Sequence, residues 1–169
     1  MPPLLNKPRA SSLYQLIVDV ADDLFYAANF CLPGVVDKMN SDNTADIRPA
    51  IKRLYADGTE LEIAIVAKVP IMYPQGKDFS ITWPLAKGDP VVLVISQRSI
   101  EKWKKRGGVV SPGDIRRHDL SDAFAYPGGA HVGALTVDQN KAVIKYKNAK
   151  IEISQTSQVN INDNFTVDL

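Results

Sequence analysis

The sequence predicts a mainly β protein with one helix near its N-terminus, and three observations support this fold class. Apolar residues recur at helical spacing only in a stretch close to the start of the chain. From Val35 to Ser96, short apolar runs alternate with turns rich in Gly, Pro, Asp and Asn. Beyond Ala149, polar and apolar residues alternate almost without interruption, which is typical of a β-strand.

Composition excludes several classes of protein. A hydrophobic fraction of 45% and a charged fraction of 23% are typical of globular proteins. A net charge of +1 provides no overall field to attract nucleic acid. Cys31 is the single cysteine, so an internal disulfide is excluded, and with only His118 and His131 a zinc site would need carboxylates. We therefore expect no metal and no cofactor.

Residues 1–31 are predicted to form an extended arm followed by an amphipathic helix. The arm is rich in proline, and the helix covers residues 12–31, with Ser11 or Ser12 as its cap and "LPG" after its end. The apolar stretch is too short and too interrupted by aspartates to span a membrane, and it lacks the layout of a secretion signal. Its polar face is acidic, which disfavours binding to a membrane surface. We expect the helix to pack on its own barrel or on a partner.

Residues 32–132 are predicted to form a five-stranded barrel of the OB type, with a short helix and a long loop after the strands. The evenly spaced runs favour this barrel over a sandwich; the expected strands are 34–40, 44–55, 60–73, 79–85 and 90–96. The third strand should present one apolar face, formed by Leu61, Ile63, Ile65, Ala67, Val69 and Ile71. A short helix is predicted in "QRSIEKWKKRGG", and residues 109–133 show no sustained period.

Residues 133–169 are predicted to form an intertwined trimeric β-helix or β-prism. Every even position from Lys150 to Asp168 is polar, and most odd positions from Ala149 are apolar. A lone strand cannot bury such a face and would leave an unpaired edge, whereas three copies around one axis solve both problems. We expect corners at Gln155, Ser157 and Asp163. The predicted trimer core consists of Ile151, Ile153, Val159, Ile161, Phe165, Val167 and Leu169.

The segment "RRHDLSD" brings acidic, basic and imidazole groups together. A hydrolase would need His118 and Asp119 to converge on a substrate, but side chains of adjacent residues usually point apart. We favour an ordered loop in which Asp119 and Asp122 cap "LSDAFA" and the arginines pair with carboxylates at an interface with another subunit or with a partner protein. The residues of this loop are Arg116, Arg117, His118, Asp119 and Asp122. We predict no catalytic residues, and hence no enzyme.

The basic run "KWKKR" supports an alternative function. An aromatic residue among cations is typical of OB-type modules that bind single-stranded nucleic acid, and an oligosaccharide is a further candidate ligand. However, Trp103 follows Ile100 by three residues, so a core position explains it more simply, with Lys104 and Lys105 on a solvated face. We therefore expect no nucleic acid partner.

Residues 79–128 resemble the central spike protein of contractile-tailed phage baseplates. The strongest matches are "GD.V.LV.S.RSI..W" and "RRHDLSDA.A.PG", and "LPGVV" and "D.RP.IKR" upstream extend the resemblance to about residues 30–130. The resemblance implies an OB-fold domain under the tail hub and a trimeric β-helical needle. It also implies a plug that closes the tail tube, pierces the host outer membrane when the sheath contracts, and is assembled in the host cytoplasm into the virion baseplate.

One feature of that family is missing. Its members can end in closely spaced histidines that hold an iron ion, whereas no histidine follows His131 here. We therefore do not carry over the metal, and two alternatives stay open: a separate tip protein that caps Leu169, or an end that leaves the prism open. The other expected partners are two further copies of the chain, the tail hub protein and, transiently, the host outer membrane.

Overall fold

The computed structural model describes residues 12–55, 57–129, 131–156, 158–162 and 165–168, the last of these for the backbone alone. The chain divides into two compact units, Met1–Ala130 and His131–Leu169. Each unit is described by itself. The second unit begins at His131, and the C-terminal segment predicted from the sequence begins at residue 133.

The first unit begins with helix α1, Leu13–Ala27. Ser12 caps it, because the Ser12 side chain accepts a hydrogen bond of 3.2 Å from the backbone N–H of Gln15. The prediction that the helix continues to residue 31 was wrong. Ala28 already has extended backbone angles, and the carbonyl of Phe30 accepts a hydrogen bond from Ile95 as the chain enters the first strand.

A five-stranded antiparallel sheet follows the helix. Its spatial order is β5-β2-β1-β6-β7, and its strands are β1 (Cys31–Met39), β2 (Thr44–Pro49), β5 (Val66–Pro70), β6 (Pro90–Ile95) and β7 (Ala123–Pro127). A small hairpin, β3 (Arg53–Leu54) and β4 (Glu60–Leu61), interrupts the sequence between β2 and β5. The prediction of a mainly β fold is therefore confirmed.

The sheet curls into a half-barrel around one apolar core. Its outermost strands, β5 and β7, approach each other at an isolated bridge between Ile71 and Ala125, where Met72 N–H donates to the Ala125 carbonyl at 2.8 Å. Strict alternation in β2 and β6 directs every second residue into the core. The largest fully buried apolar side chains are Val36, Ile47, Val69, Val91 and Leu93. This half-barrel fits an OB-like description.

The third predicted strand is split in the structure. Residues 60–73 contain β4 and β5 with irregular chain between them, so the expectation of one continuous strand with a single apolar face was wrong. A β-bulge is the physical reason: Lys68 has a left-handed φ of 53°, and the register against β2 shifts there. The bulge places Val66 and Val69 in the core, whereas Leu61 and Ile65 are exposed.

The fifth strand of the half-barrel comes from a different part of the chain than predicted. Residues 79–85 form no strand; near them only Gln75 and Ser80 make an isolated bridge. Strand β7, which lies inside the segment expected to be a long loop, pairs with β6 instead. Its buried residues are the small Ala123 and Ala125, so its apolar signal in the sequence is weak. The short helix predicted before this segment is present as α2, Glu101–Arg106.

The second unit is a four-stranded antiparallel sheet with the order β11-β10-β9-β8. Its strands are β8 (Lys141–Tyr146), β9 (Ala149–Ser154), β10 (Gln158–Ile161) and β11 (Phe165–Asp168). The expectation that the tail is one strand paired only with other copies was wrong, because the chain folds back and pairs with itself. A trimeric β-helix is not shown by this single chain.

Local polar groups explain why the tail folds back. The backbone N–H of Gln158 donates to the Ser154 hydroxyl at 3.3 Å across the turn after β9. Asn162 takes a left-handed φ of 52°, and its side-chain oxygen accepts from Lys150 N–H at 2.8 Å. Gln155, predicted as a corner, lies in the first of these turns. The other two predicted corners, Ser157 and Asp163, lie outside the described residues.

The close approach of β1 to the core at Gly34 gives a prediction for stability. A Cβ at Gly34 would lie 2.7 Å from Ile47 Cγ2 and 3.3 Å from the Arg48 carbonyl oxygen. We expect Gly34→Ala to lower the free energy of unfolding by about 1–3 kcal/mol through overpacking. Urea unfolding measures the effect. Gly76→Ala is the control, because a Cβ there meets nothing within 4 Å; equal stability of the two variants would contradict the packing described.

Candidate functional site

One face of the C-terminal sheet is apolar across the strands. Cross-strand partners in an antiparallel sheet share a face, so the register decides which residues lie together. Ile151 pairs with Ile144 on one side and with Ile161 on the other, while Ile153 pairs with Ala142 and Val159. We call this surface the apolar face; it consists of Ala142, Ile144, Tyr146, Ala149, Ile151, Ile153, Val159 and Ile161.

The apolar face is largely exposed in the single chain. Ile144 is 70% exposed, Ile153 is 47% exposed and Ile161 is 42% exposed. Contiguous apolar surface of this kind is rare on monomeric soluble proteins and marks a site of association. The second unit therefore presents a surface that its described residues do not cover.

The opposite face of the same sheet is polar and internally paired. Glu152, whose side chain is 12% exposed, accepts from Lys141 Nζ at 3.2 Å and from Lys150 Nζ at 3.3 Å. Val143 is the apolar exception, since it pairs with Glu152 and so lies on the polar face. The two faces thus differ sharply in chemistry.

The residues predicted as a trimer core fall on the apolar face as far as the structure describes them. Side chains of Ile151, Ile153, Val159 and Ile161 belong to it, and the backbones of Phe165 and Val167 pair in register with Ile161 and Val159. Leu169 lies outside the described residues.

Sequence reasoning missed the contribution of β8 to this face. Ala142, Ile144 and Tyr146 alternate with polar residues in the way that Ile151 and Ile153 do. Val143 breaks that alternation and so hides the signal. The hairpin signal was nevertheless present, because two strand-like runs flank the turn at Lys147 and Asn148.

A buried ion pair organises the loop that carries the second set of predicted residues. The carboxylate of Asp122, 1% exposed, accepts from Arg116 Nε at 2.6 Å and from Arg116 Nη2 at 3.1 Å. It also accepts from the backbone N–H of Ile100 at 2.9 Å, just before α2. Arg116 reaches Asp114 as well, at 2.8 Å. The pair therefore joins the start of α2, the loop and the start of β7.

The other residues of the loop have separate partners. Asp119 caps the single 3₁₀ turn Leu120–Asp122, because its carboxylate accepts from Ser121 N–H at 2.9 Å. His118 Nδ1 lies 3.2 Å from the carbonyl oxygen of Asn29, and its ring is 4.6 Å from that of Phe30. His118 and Asp119 thus contact different parts of the chain. Arg117 is exposed. The role of this loop at a subunit interface stays a prediction.

The ion pair shifts the protonation equilibria of its members. Burial raises the pKa of Asp122. Hydrogen bonds from Arg116 and from Ile100 N–H, together with the positive charges nearby, outweigh burial and hold this pKa below its usual value. The hydrogen bond to Asp122 raises the pKa of Arg116. Burial lowers the pKa of Lys104, whose ammonium donates to the Ser121 carbonyl at 2.8 Å. Asp122 is therefore ionised inside the fold, and the positive charge of Arg116 balances its negative charge.

The basic helix α2 is attached to the same region. The rings of Trp103 and Phe124 meet edge to face at 5.5 Å, and Trp103 is half-buried. Lys104 is held by Ser121, while Lys102, Lys105 and Arg106 are exposed. Stacking of a nucleic acid base would need an open aromatic face; Trp103 instead uses part of its surface for packing within the chain.

No group of three or more His, Cys, Asp or Glu side chains in the described part of the chain is arranged to hold a metal ion. Across the same residues, no helix has both the length and the apolar character needed to cross a membrane.

Comparison with known protein families assigns the class. Residues 32–128 match the phage protein Gp138 N-terminal domain, and the chain belongs to that family. It is therefore a phage structural protein, which indicates a component of the virion. No curated protein matches the chain.

The buried ion pair gives a prediction with a defined pH dependence. We expect Asp122→Asn to lower the free energy of unfolding at neutral pH by about 1–3 kcal/mol, because it removes the buried charge that accepts two hydrogen bonds from Arg116, which keeps Asp114 as a second partner at 2.8 Å. The folded-state pKa of Asp122 is depressed, so its contribution is complete above the unfolded-state pKa of about 4 and is lost as the pH falls through the folded-state pKa. The gap between wild type and variant should therefore shrink below about pH 4.

Urea titrations at a series of pH values measure this gap. Asp78→Asn, at an exposed carboxylate, is the matched control and should leave stability nearly unchanged. A gap between wild type and Asp122→Asn that stays constant down to about pH 2 would show that the charge of Asp122 contributes nothing.

Proposed function

We propose that the chain is the central spike of a contractile-tail baseplate: a homotrimer that caps the tail tube at the hub and pierces the host outer membrane on sheath contraction. The observation that carries this proposal is the exposed apolar face of the C-terminal sheet. Membership in a phage structural family supports a place in the virion, and the resemblance of residues 79–128 to baseplate spikes supports the role of a spike.

The apolar face favours association through the second unit. Burying apolar surface gains about 25 cal/mol per Å², and this face spans β8, β9 and β10 with the backbone of β11 continuing the register. Three sheets whose apolar faces turn toward a common axis enclose that surface and leave the Lys141, Lys150 and Glu152 face in water. Each side of the resulting prism would be one self-paired sheet.

This arrangement differs from three single strands wound around one another, and it suits a piercing role. Within each sheet, the backbone groups of neighbouring strands are already paired, so a prism assembled from them has few loops along its sides. The chain itself supplies stiffness; the force comes from the contracting sheath. Two sheets packed face to face would also cover the apolar face, and the mass of the particle in solution distinguishes the two assemblies.

The half-barrel offers a surface for the tail hub. Phe79 is 64% exposed, Ile81 is 51% exposed and Trp83 is 39% exposed, and all three lie along the irregular segment between β5 and β6. The segment is anchored, since the hydroxyl of Tyr73 donates to the Trp83 carbonyl at 2.7 Å. We propose that the hub protein covers this strip, and that the exposed Arg117 belongs to a neighbouring contact. A tip protein would cover the end of the prism beyond the last strand.

Substitutions on the two faces of the C-terminal sheet test the trimer. We expect Ile161→Asp to abolish association, because three carboxylates would be buried on one apolar axis. Val143→Asp is the matched control: Val143 is 43% exposed against 42% for Ile161, but it lies on the polar face. Light scattering at micromolar concentration should give a trimeric mass for wild type and Val143→Asp and a monomeric mass for Ile161→Asp. A monomeric or dimeric wild type would contradict the proposal.

The same pair of variants tests the piercing role in assembled phage. Particles carrying Val143→Asp should open the host outer membrane to a periplasmic enzyme substrate on adsorption, as wild-type particles do. Particles carrying Ile161→Asp should contract without this permeability increase. If particles carrying Ile161→Asp permeabilised the outer membrane as wild-type particles do, a trimeric spike would not be needed for piercing, and the proposed role would be contradicted.

A further inference from the structure

Helix α1 has an apolar side that the described chain leaves uncovered. None of its residues is buried. Leu13 is 73% exposed, Ile17 is 60% exposed, Val20 is 51% exposed and Leu24 is 67% exposed. A free helix of this length is marginally stable in water, and a helix in a protein is stabilised mostly by the packing of its apolar side. The exposed side of α1 therefore requires a partner.

The spacing of these exposed residues specifies what kind of partner fits. Leu13, Ile17, Val20, Leu24 and Ala27 follow one another at intervals of four, three, four and three residues, which is the a and d spacing of a coiled coil. Ile17 and Leu24 occupy a positions, and Leu13, Val20 and Ala27 occupy d positions. Val20 is a β-branched residue at a d position, and the next a position holds Leu24. Two-stranded coiled coils favour the reverse arrangement, so this pattern fits coiled coils of three or more helices.

Other occupants of this side fit less well. The sequence from Leu13 to Ala27 contains Asp19, Asp22 and Asp23 and no lysine or arginine, which opposes binding to an anionic membrane surface. The small hairpin β3–β4 meets α1 near its end, where the Tyr26 hydroxyl donates to the Leu54 carbonyl. That contact leaves four of the five a and d residues exposed, and Ala27 is half-buried; the four are Leu13, Ile17, Val20 and Leu24.

We propose that α1 forms a parallel three-helix bundle with the α1 helices of two further copies of the chain. This inference rests on the proposed homotrimer: a closed trimer has one threefold axis, and every part of the chain obeys it. Each α1 is fixed at its C-terminal end, because Asn29 Nδ2 donates to the His118 carbonyl at 3.0 Å and the carbonyl of Phe30 is bonded to Ile95. Threefold symmetry therefore makes the three helices leave their half-barrels in the same sense.

The energetics favour the bundle once the chains are joined elsewhere. A short heptad seam associates weakly between free helices, but linkage through the rest of the trimer raises the effective concentration of each helix to about the millimolar range. Tyr14 and Leu16 flank the seam and are 76% and 50% exposed in the single chain. In a three-helix bundle, each helix contacts its partners over a wider arc than in a pair of helices. Tyr14 and Leu16 therefore also become partly buried.

Thiol cross-linking of the full-length chain tests the bundle. In a Cys31→Ser background, Val20→Cys places three thiols at one d layer around the axis, and Asp22→Cys places them on the outer side of the same helix. With a short bismaleimide reagent, we expect Val20→Cys to give covalent dimers at least about tenfold faster than Asp22→Cys, because proximity raises the local thiol concentration. Light scattering on both variants gives the oligomeric state before the reagent is added.

The outcomes separate the bundle from the trimer. Trimers with preferential cross-linking at Val20→Cys support the bundle. Trimers that cross-link equally slowly at both positions overturn the bundle and leave the proposed spike intact, and they make the tail hub the candidate partner of α1. Monomers at micromolar concentration overturn the homotrimer and, with it, the bundle.

Discussion

The separation of apolar and polar side chains on the C-terminal sheet is the constraint on which the organisation of the protein depends. Register places Ile144, Ile151 and Ile161 side by side on one face, and Glu152 bridges two lysines on the other. Neighbouring strands of this sheet pair with each other, and the surface that the described residues leave uncovered is the apolar face. The proposed association therefore uses side chains of the apolar face and no exchange of strands.

Sequence patterning predicted what lies on which face better than how the backbone is connected. The alternation from Lys150 onward identified Ile151, Ile153, Val159 and Ile161 as one surface, and the structure places them together. Period two is the same for one long strand and for several antiparallel ones. The distinction depends on a few turn residues, here Asn162 with its left-handed backbone, and polar alternation conceals such residues.

The half-barrel shows the converse limit. Residues 79–85 have the composition of a strand and are not one, while β7 lies in a segment without a sustained period and completes the sheet. The chain just before β7 is held by Asp122, which pairs with Arg116 six residues away and with the backbone N–H of Ile100, 22 residues away. Local propensity carries no information about such contacts, and a bulge such as that at Lys68 shifts every position after it.

The self-paired meander has a consequence for how this part of the molecule can vary in size. A sheet widens by about 4.8 Å for each strand added at its edge, and an antiparallel strand needs only a short turn to join it. Duplicating a hairpin such as β9–β10 would therefore extend the sheet without altering the width of the apolar strip or the half-barrel. The extent of the sheet across its strands can therefore change in steps, by gain or loss of hairpins, while the length of each strand stays the same.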